Sequence, residues 1–324
     1  MMSLHDDLLS RLEALAGVAL VARLRDPRLG LPDATRLNVF IPDVHLVTPH
    51  RQYEFGTNAP ELLTAVLRGL RDFRAAAAPA QVVAYQLGDL IDLWRETPGF
   101  DADADVASAI EDAHPELIEA LYDPVLDVQF VLGNHDYDLY RWPNYDVWQR
   151  YFHFAPNTLA LHGDIFDWVE KLPDRVQNLL VNLLSPGVKA GRAQLEAMRP
   201  LNQAMRALDS GAARPAPLRA LARPSAVADD DRFNVQDASS PPEMLRFLDS
   251  ARQLGSELTT VVIGHTHHAR LAVHEDGAGL FALVDCGAWI ENCCTEDDPT
   301  ARPNAQLAAV GANEIRIYQL TQRA

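Results

Sequence analysis

The sequence predicts an α/β fold with a helical insertion, and three observations point there. Short apolar runs each end in a cluster of Asp, His, Asn and Gly; amphipathic helical stretches lie between them; and a segment of roughly ninety residues of different character interrupts the series before its last member. Polar residues gathered at strand ends are where open sheets place their sites. At 324 residues the chain is long enough to bury one large core with an inserted cap.

The elements follow in chain order. Leu4, Leu8, Leu12 and Leu15 recur at helical spacing behind Ser3, which can cap, so an amphipathic leading helix is expected. Leu37 to Ile41 reads as a buried strand ending in Asp43-Val44-His45. Pro60 opens a helix whose face is Leu63, Val66, Leu67, Leu70 and Phe73. Gln81 to Leu87 is a second apolar run and ends in Gly88-Asp89-Leu90-Ile91-Asp92. After an acidic helical stretch over Asp101 to Leu121, Val125 to Leu132 forms a third, ending in Gly133-Asn134-His135-Asp136. Thr158 to Leu161 leads into His162-Gly163-Asp164, and Thr259 to Ile263 into Gly264-His265-Thr266-His267.

Between those last two lie Val176, Leu179, Leu180, Leu183 and Leu184 on one helical face, then Leu195, Met198, Leu201 and Met205 on another. Gly211 to Ser225, rich in Ala, Pro and Arg, reads as a linker. Hairpins are expected around Glu275-Asp276-Gly277 and Gly311-Ala312-Asn313. The domain reading is therefore an N-terminal helical segment over 1–36, a core over 37–168 and 259–324, and a cap with linker over 169–258.

Composition narrows the function. With 48% hydrophobic and 23% charged residues the chain is globular, and 28 Lys+Arg against 45 Asp+Glu give a net charge of -17. That charge argues against general binding to nucleic acid or anionic lipid. Cys286, Cys293 and Cys294 make neither a disulfide framework nor a CxxC zinc site, and they read as small buried residues. No secretory leader and no apolar run approaching ~18 residues is visible, so a cytoplasmic location is expected. The apolar stripe of the leading helix leaves contact with the inner membrane face open.

The five clusters supply Asp, His and Asn but no Cys, which is an inventory for a hard or borderline divalent cation. In Asp43-x-His45 an extended chain puts both side chains on one side. The glycine of Gly88-Asp89 permits a sharp turn that leaves the carboxylate exposed at a strand end. His265 and His267 repeat the two-residue spacing.

The ordered set DxH, GDxxD, GNHD, HGD and GHTH resembles the calcineurin-like metallophosphoesterase superfamily over Asp43 to His267, excluding most of the insertion. The resemblance implies a four-layer α/β/β/α sandwich with a helical cap. It also implies two divalent ions: one on Asp43, His45, Asp89 and His267, the other on Asp89, Asn134, His162 and His265. Mn²⁺ is expected, with Fe and Zn²⁺ as alternatives. Such ions clamp a phosphoryl group, supply a hydroxide nucleophile and provide the local positive charge that an acidic chain lacks. His135 is implied as electrophile or acid, with Asp136 orienting it. Asp92 and Asp164 are expected to support the ligands.

The stretch Leu283 to Cys293 and the HGDxFD form at His162 to Asp167 resemble the branch around UDP-2,3-diacylglucosamine diphosphatase. His135 stands where that branch commonly has Arg, and Ala288 where it has Asp. A phosphodiesterase or pyrophosphatase acting on a phosphorylated small molecule or lipid-linked nucleotide is the leading expectation. A phosphomonoesterase of the Ser/Thr protein-phosphatase kind and a non-catalytic scaffold on the same fold are the alternatives. The helix Val176 to Leu184 is an alternative acyl-cleft wall, and Arg214, Arg219 and Arg223 are alternative headgroup contacts.

Overall fold

The structure, a computed structural model, describes residues 3–32, 35–49, 59–77, 81–96, 104–155, 157–166, 257–277, 279–290, 305–311 and 313–322. Within the insertion it also describes residues 195, 196, 198–200, 202, 203, 206, 233 and 234. The segment Val176 to Leu184, the three arginines, Asp167, Cys293 and Cys294 lie outside the described residues, as does most of the expected cap.

Two mixed sheets pack face to face. The larger is built from Gly17–Leu24 (β1), Leu37–Ile41 (β2), Val82–Gln86 (β3), Gln129–Phe130 (β4), Phe233–Asn234 (β7), Gln306–Gly311 (β11) and Glu314–Thr321 (β12). Its spatial order is β4-β3-β2-β11-β12-β1-β7, with β2, β3 and β4 parallel. The smaller contains Tyr151–Ala155 (β5), Thr158–Leu161 (β6), Thr260–Ile263 (β8), Arg270–Asp276 (β9) and Gly279–Asp285 (β10), in the order β5-β6-β8-β10-β9. Both expected hairpins form, as β9–β10 and β11–β12.

Every residue of β2 is buried because its two faces meet different partners. Leu37, Val39 and Ile41 join the cluster under the helices, whereas Phe40 points between the sheets. There it stacks on Tyr85 of β3 at 5.1 Å and meets Phe154 of β5, in the opposite sheet, at 5.3 Å. A strand buried on both faces reads as a continuous apolar run, which is why β2 was visible in the sequence.

Helices Leu4–Leu15 (α1), Pro60–Ala76 (α2) and Pro115–Leu121 (α5) cover the outer face of the larger sheet. Ser3 caps α1 by accepting the Asp6 amide at 3.2 Å. Leu8 and Leu12 are buried, so the apolar stripe of α1 is used in the core. The acidic stretch divides into Ala104–Ala113 (α4) and α5, parted at His114-Pro115. On the outer face of the smaller sheet, Leu159, Leu161, Val261, Phe281 and Leu283 pack with Ile165 and Phe166. No described helix is long and apolar enough to cross a membrane.

Two expectations need correction. Residues 1–36 are not only a helical segment, because β1 pairs with β12 along its length and belongs to the larger sheet. Its run of Val, Ala and Leu suits helix or strand equally, and the register with Ile315 and Ile317 decides between them. The third strand is shorter than Val125 to Leu132: Asp123 caps a turn over Val125 and Leu126, and β4 keeps two residues.

The inter-sheet aromatic contact yields a first prediction. Phe40→Ala leaves a cavity between layers and is expected to cost about 3–5 kcal/mol. A lower denaturation midpoint at constant m-value checks it, and a loss below about 1 kcal/mol would show that Phe40 does not tie the sheets together.

Candidate metal centre

The parallel strands end at one edge of the sandwich, and the loops after β2, β3, β4, β6 and β8 carry the clusters there. Backbone bonds strap the loops together: the Val44 and His45 amides donate to Asp89 O at 3.1 and 2.8 Å, and the Trp289 amide to Asp43 O at 2.7 Å.

The ligands do not converge by extended alternation, as the spacing suggested. His45, Asp89, His265 and His267 have φ of 51°, 52°, 68° and 61°, the left-handed region that side chains rarely enter. Each reversal turns a strand-end side chain back into the site, and such strain is held where surrounding bonds over-determine it. Two glycines make room. A Cβ at Gly133 would lie 2.0 Å from Asp89 Oδ1, and one at Gly264 2.2 Å from Asp43 Oδ1.

All seven expected ligands come together. Asp43, His45 and His267 form one group with ligand atoms within 4.8 Å of one another; Asp89, His162 and His265 form another; and His45, Asp89 and His135 form a third between them. Asn134 Oδ1 joins the second group, 2.9 Å from His162 Nε2.

Hydrogen bonds set the imidazole tautomers. His162 Nδ1 donates to Leu87 O at 2.8 Å and His45 Nδ1 to Asp92 Oδ2 at 2.9 Å, so in each neutral ring Nε2 presents a lone pair inward. His162 Nε2 there meets Asp89 Oδ2 and His265 Nδ1, both at 3.2 Å. His45 Nε2 meets His267 Nε2 at 3.1 Å, and that nitrogen lies 3.1 Å from Asp43 Oδ2. Lone pairs facing lone pairs ask for a cation. Two atoms each ~2.1 Å from one ion stand ~3.0 Å apart at a right angle and ~3.4 Å apart at the tetrahedral angle, which matches these separations. The residues present therefore fit two divalent ions.

Without such ions, protons carry the compensating charge. Burial would raise the Asp89 carboxyl, but His162 and His135 outweigh it and hold it well below the usual carboxylate range. Burial would likewise lower His162, but Asp89 and Asp43 lift it to about 10. His135 rises to about 9, with Asp92 and Asp89 overcoming burial. Burial carries His267 the other way, to about 4.

Two supporting residues act differently from expectation. Asp92, not Asp136, holds the His135 ring: its Oδ1 accepts from His135 Nδ1 at 2.7 Å while its Oδ2 serves His45. Asp136 instead accepts the Leu90 and Gly133 amides at 2.8 and 2.7 Å, pinning the two ligand loops together. Asp164 does not orient an imidazole; it pairs with buried Arg150, which also donates to Leu132 O. The spacing GDxxD did mark Asp92, but the choice between two nearby carboxylates is tertiary. Trp94, stacked on His135 at 4.3 Å, had no signal in the sequence.

No family model matches the chain. The UDP-2,3-diacylglucosamine hydrolase of Neisseria gonorrhoeae (strain ATCC 700825 / FA 1090) is 34% identical over 139 residues, 40% of this chain and 49% of that protein. The chain thus spans about half the length of the curated relative it matches. A dimetal phosphatase from Danio rerio superposes with a TM-score of 0.38 at 15% identity, covering 89% of this chain and 99% of that one.

These protonation states predict a pH dependence for metal-free protein. His162 and His135 have raised folded values, so their contribution is full below the unfolded value of about 6.5 and is lost as pH rises through about 9–10. His267 is depressed, so its contribution is present above about 6.5 and lost toward about 4. Thermal stability in chelator should therefore peak near pH 6–7, and the stabilisation by added Mn²⁺ should grow from pH 6 to 9, as protons and metal compete for the same nitrogens. A Mn²⁺ increment that shrinks with pH would contradict this. In its converging Asp, His and Asn residues and in the relative that it matches, the chain is similar to a UDP-2,3-diacylglucosamine hydrolase over about half of that protein's length.

Proposed function

We propose that this protein is a phosphoester hydrolase dependent on two divalent metal ions, with Mn²⁺ preferred. Its proposed substrate is a phosphodiester or diphosphate of the lipid-linked nucleotide-sugar class, such as UDP-2,3-diacylglucosamine. One observation carries the reading. Asp89 Oδ2 lies 3.2 Å from His162 Nε2 and 3.6 Å from His45 Nε2, so one carboxylate serves both ligand sets. Asp43, His45 and His267 would hold one ion with Asp89, and Asn134, His162 and His265 the other. When bound, such a pair lowers the pKa of a water and offsets charge on a phosphoryl group.

The chain's own residues supply the rest. Asp92 accepts a hydrogen bond from His135 Nδ1, leaving Nε2 as the atom for substrate. That hydrogen bond to a carboxylate favours the imidazolium, the form able to donate to a phosphoryl or leaving oxygen. Asp136 holds the loop that carries it. The substrate class is supported by the name of the curated relative and by the resemblance of the stretch Leu283 to Cys293 to that branch. A scaffold without chemistry would have no need of this converging Asp, His and Asn set beside an imidazole held by Asp92.

With Mn²⁺ added, bis-p-nitrophenyl phosphate should be hydrolysed, and on an alkyl phosphodiester, whose alkoxide needs a proton to leave, His135→Ala should lower kcat by about 10²–10⁴-fold while elemental analysis finds the metal retained. Turnover in chelator, or full turnover by that variant, would contradict the mechanism. In a parallel screen of UDP-2,3-diacylglucosamine, nucleotide diesters and phosphopeptides, the first should give the highest kcat/KM. Preference for phosphopeptides would move the assignment to a phosphomonoesterase of the protein-phosphatase kind.

A further inference from the structure

We infer that Trp94 is a positioning residue whose indole face sets the plane of the His135 ring, and so the direction of its Nε2 toward a leaving group. The inference rests on the proposed role of His135 as acid. One hydrogen bond, from Nδ1 to Asp92 at 2.7 Å, fixes where the imidazole sits but leaves it free to swing about that bond. Trp94 removes the swing, with ring centroids 4.3 Å apart and planes 25° from parallel. The edge of His45 meets the ring at 4.7 Å and 90°. Among the described residues, Trp94 is the ring stacked on His135.

The backbone that carries the indole is tied to its surroundings on both sides. Trp94 is buried in the short helix Leu93–Glu96 (α3), two residues after Asp92. The Arg95 amide donates to Asp92 Oδ1 at 3.0 Å, and Glu96 Oε1 accepts the Thr48 amide at 2.6 Å. One turn of chain therefore carries both the carboxylate that places His135 and the face that aims it. Trp94 exchanges no proton, so its effect should scale with how much a leaving group needs one.

The test compares holoenzyme variants on an aryl and an alkyl phosphodiester at saturating Mn²⁺. A p-nitrophenolate leaves without help, whereas an alkoxide needs protonation. Trp94→Leu should lower kcat on the alkyl ester roughly 10–100-fold and on the aryl ester far less, with KM and metal content unchanged. Trp94→Phe, which restores an aromatic face, should keep most of the rate. In a His135→Ala background Trp94→Leu should add no further loss. Equal losses on both esters, failure of Phe to rescue, or losses that multiply in the double variant would overturn the role of Trp94. A His135→Ala enzyme with unimpaired turnover of the alkyl ester would instead overturn the reading beneath it. Should Trp94→Leu fail to fold, Trp94→Phe and Trp94→Tyr serve: both should retain the wild-type ratio of alkyl to aryl rates, and a collapse of that ratio in either would overturn the inference.

Discussion

Burial of the Asp43, Asp89 and Asp92 carboxylates, ionised within a few ångströms of one another, is the constraint on which this structure depends. Charges removed from water without partners cost several kcal/mol each, so the fold must surround them with positive charge. It surrounds them with five imidazoles, His45, His135, His162, His265 and His267, delivered from four loops, and without metal His135 and His162 carry the protons. Ring nitrogens directed at oxygens are tolerable only when a proton or a cation lies between.

The sandwich exists to hold that arrangement. Phe40 and its neighbours fix the two sheets against each other, so strand ends from both sheets meet at one edge. Left-handed residues then fold the side chains inward, Gly133 and Gly264 let the carboxylates approach backbone, and Asp136 ties the loop after β3 to the loop after β4. Loosening any of these would separate like charges but leave the imidazoles unpaired.

Much of this was legible in the sequence because strand and site occupy adjacent residues. A buried parallel run such as Leu37 to Ile41 announces itself, and the polar cluster after it can only be a strand-end loop. Composition likewise named Asp, His and Asn as the donors. What was not legible depends on contacts between distant residues. The identity of β1 is set by β12, and the backbone reversal at His45, His265 and His267 by bonds across loops. Asp136 adjoins His135 in sequence, yet Asp92, forty-three positions away, is its partner in space. Trp94 had no motif at all.

Anomalous diffraction from crystals grown with Mn²⁺ tests the central claim most directly. Two peaks about 3.5–4 Å apart, on either side of the Asp89 carboxylate, are expected. A single peak, or two that do not share Asp89, would contradict it.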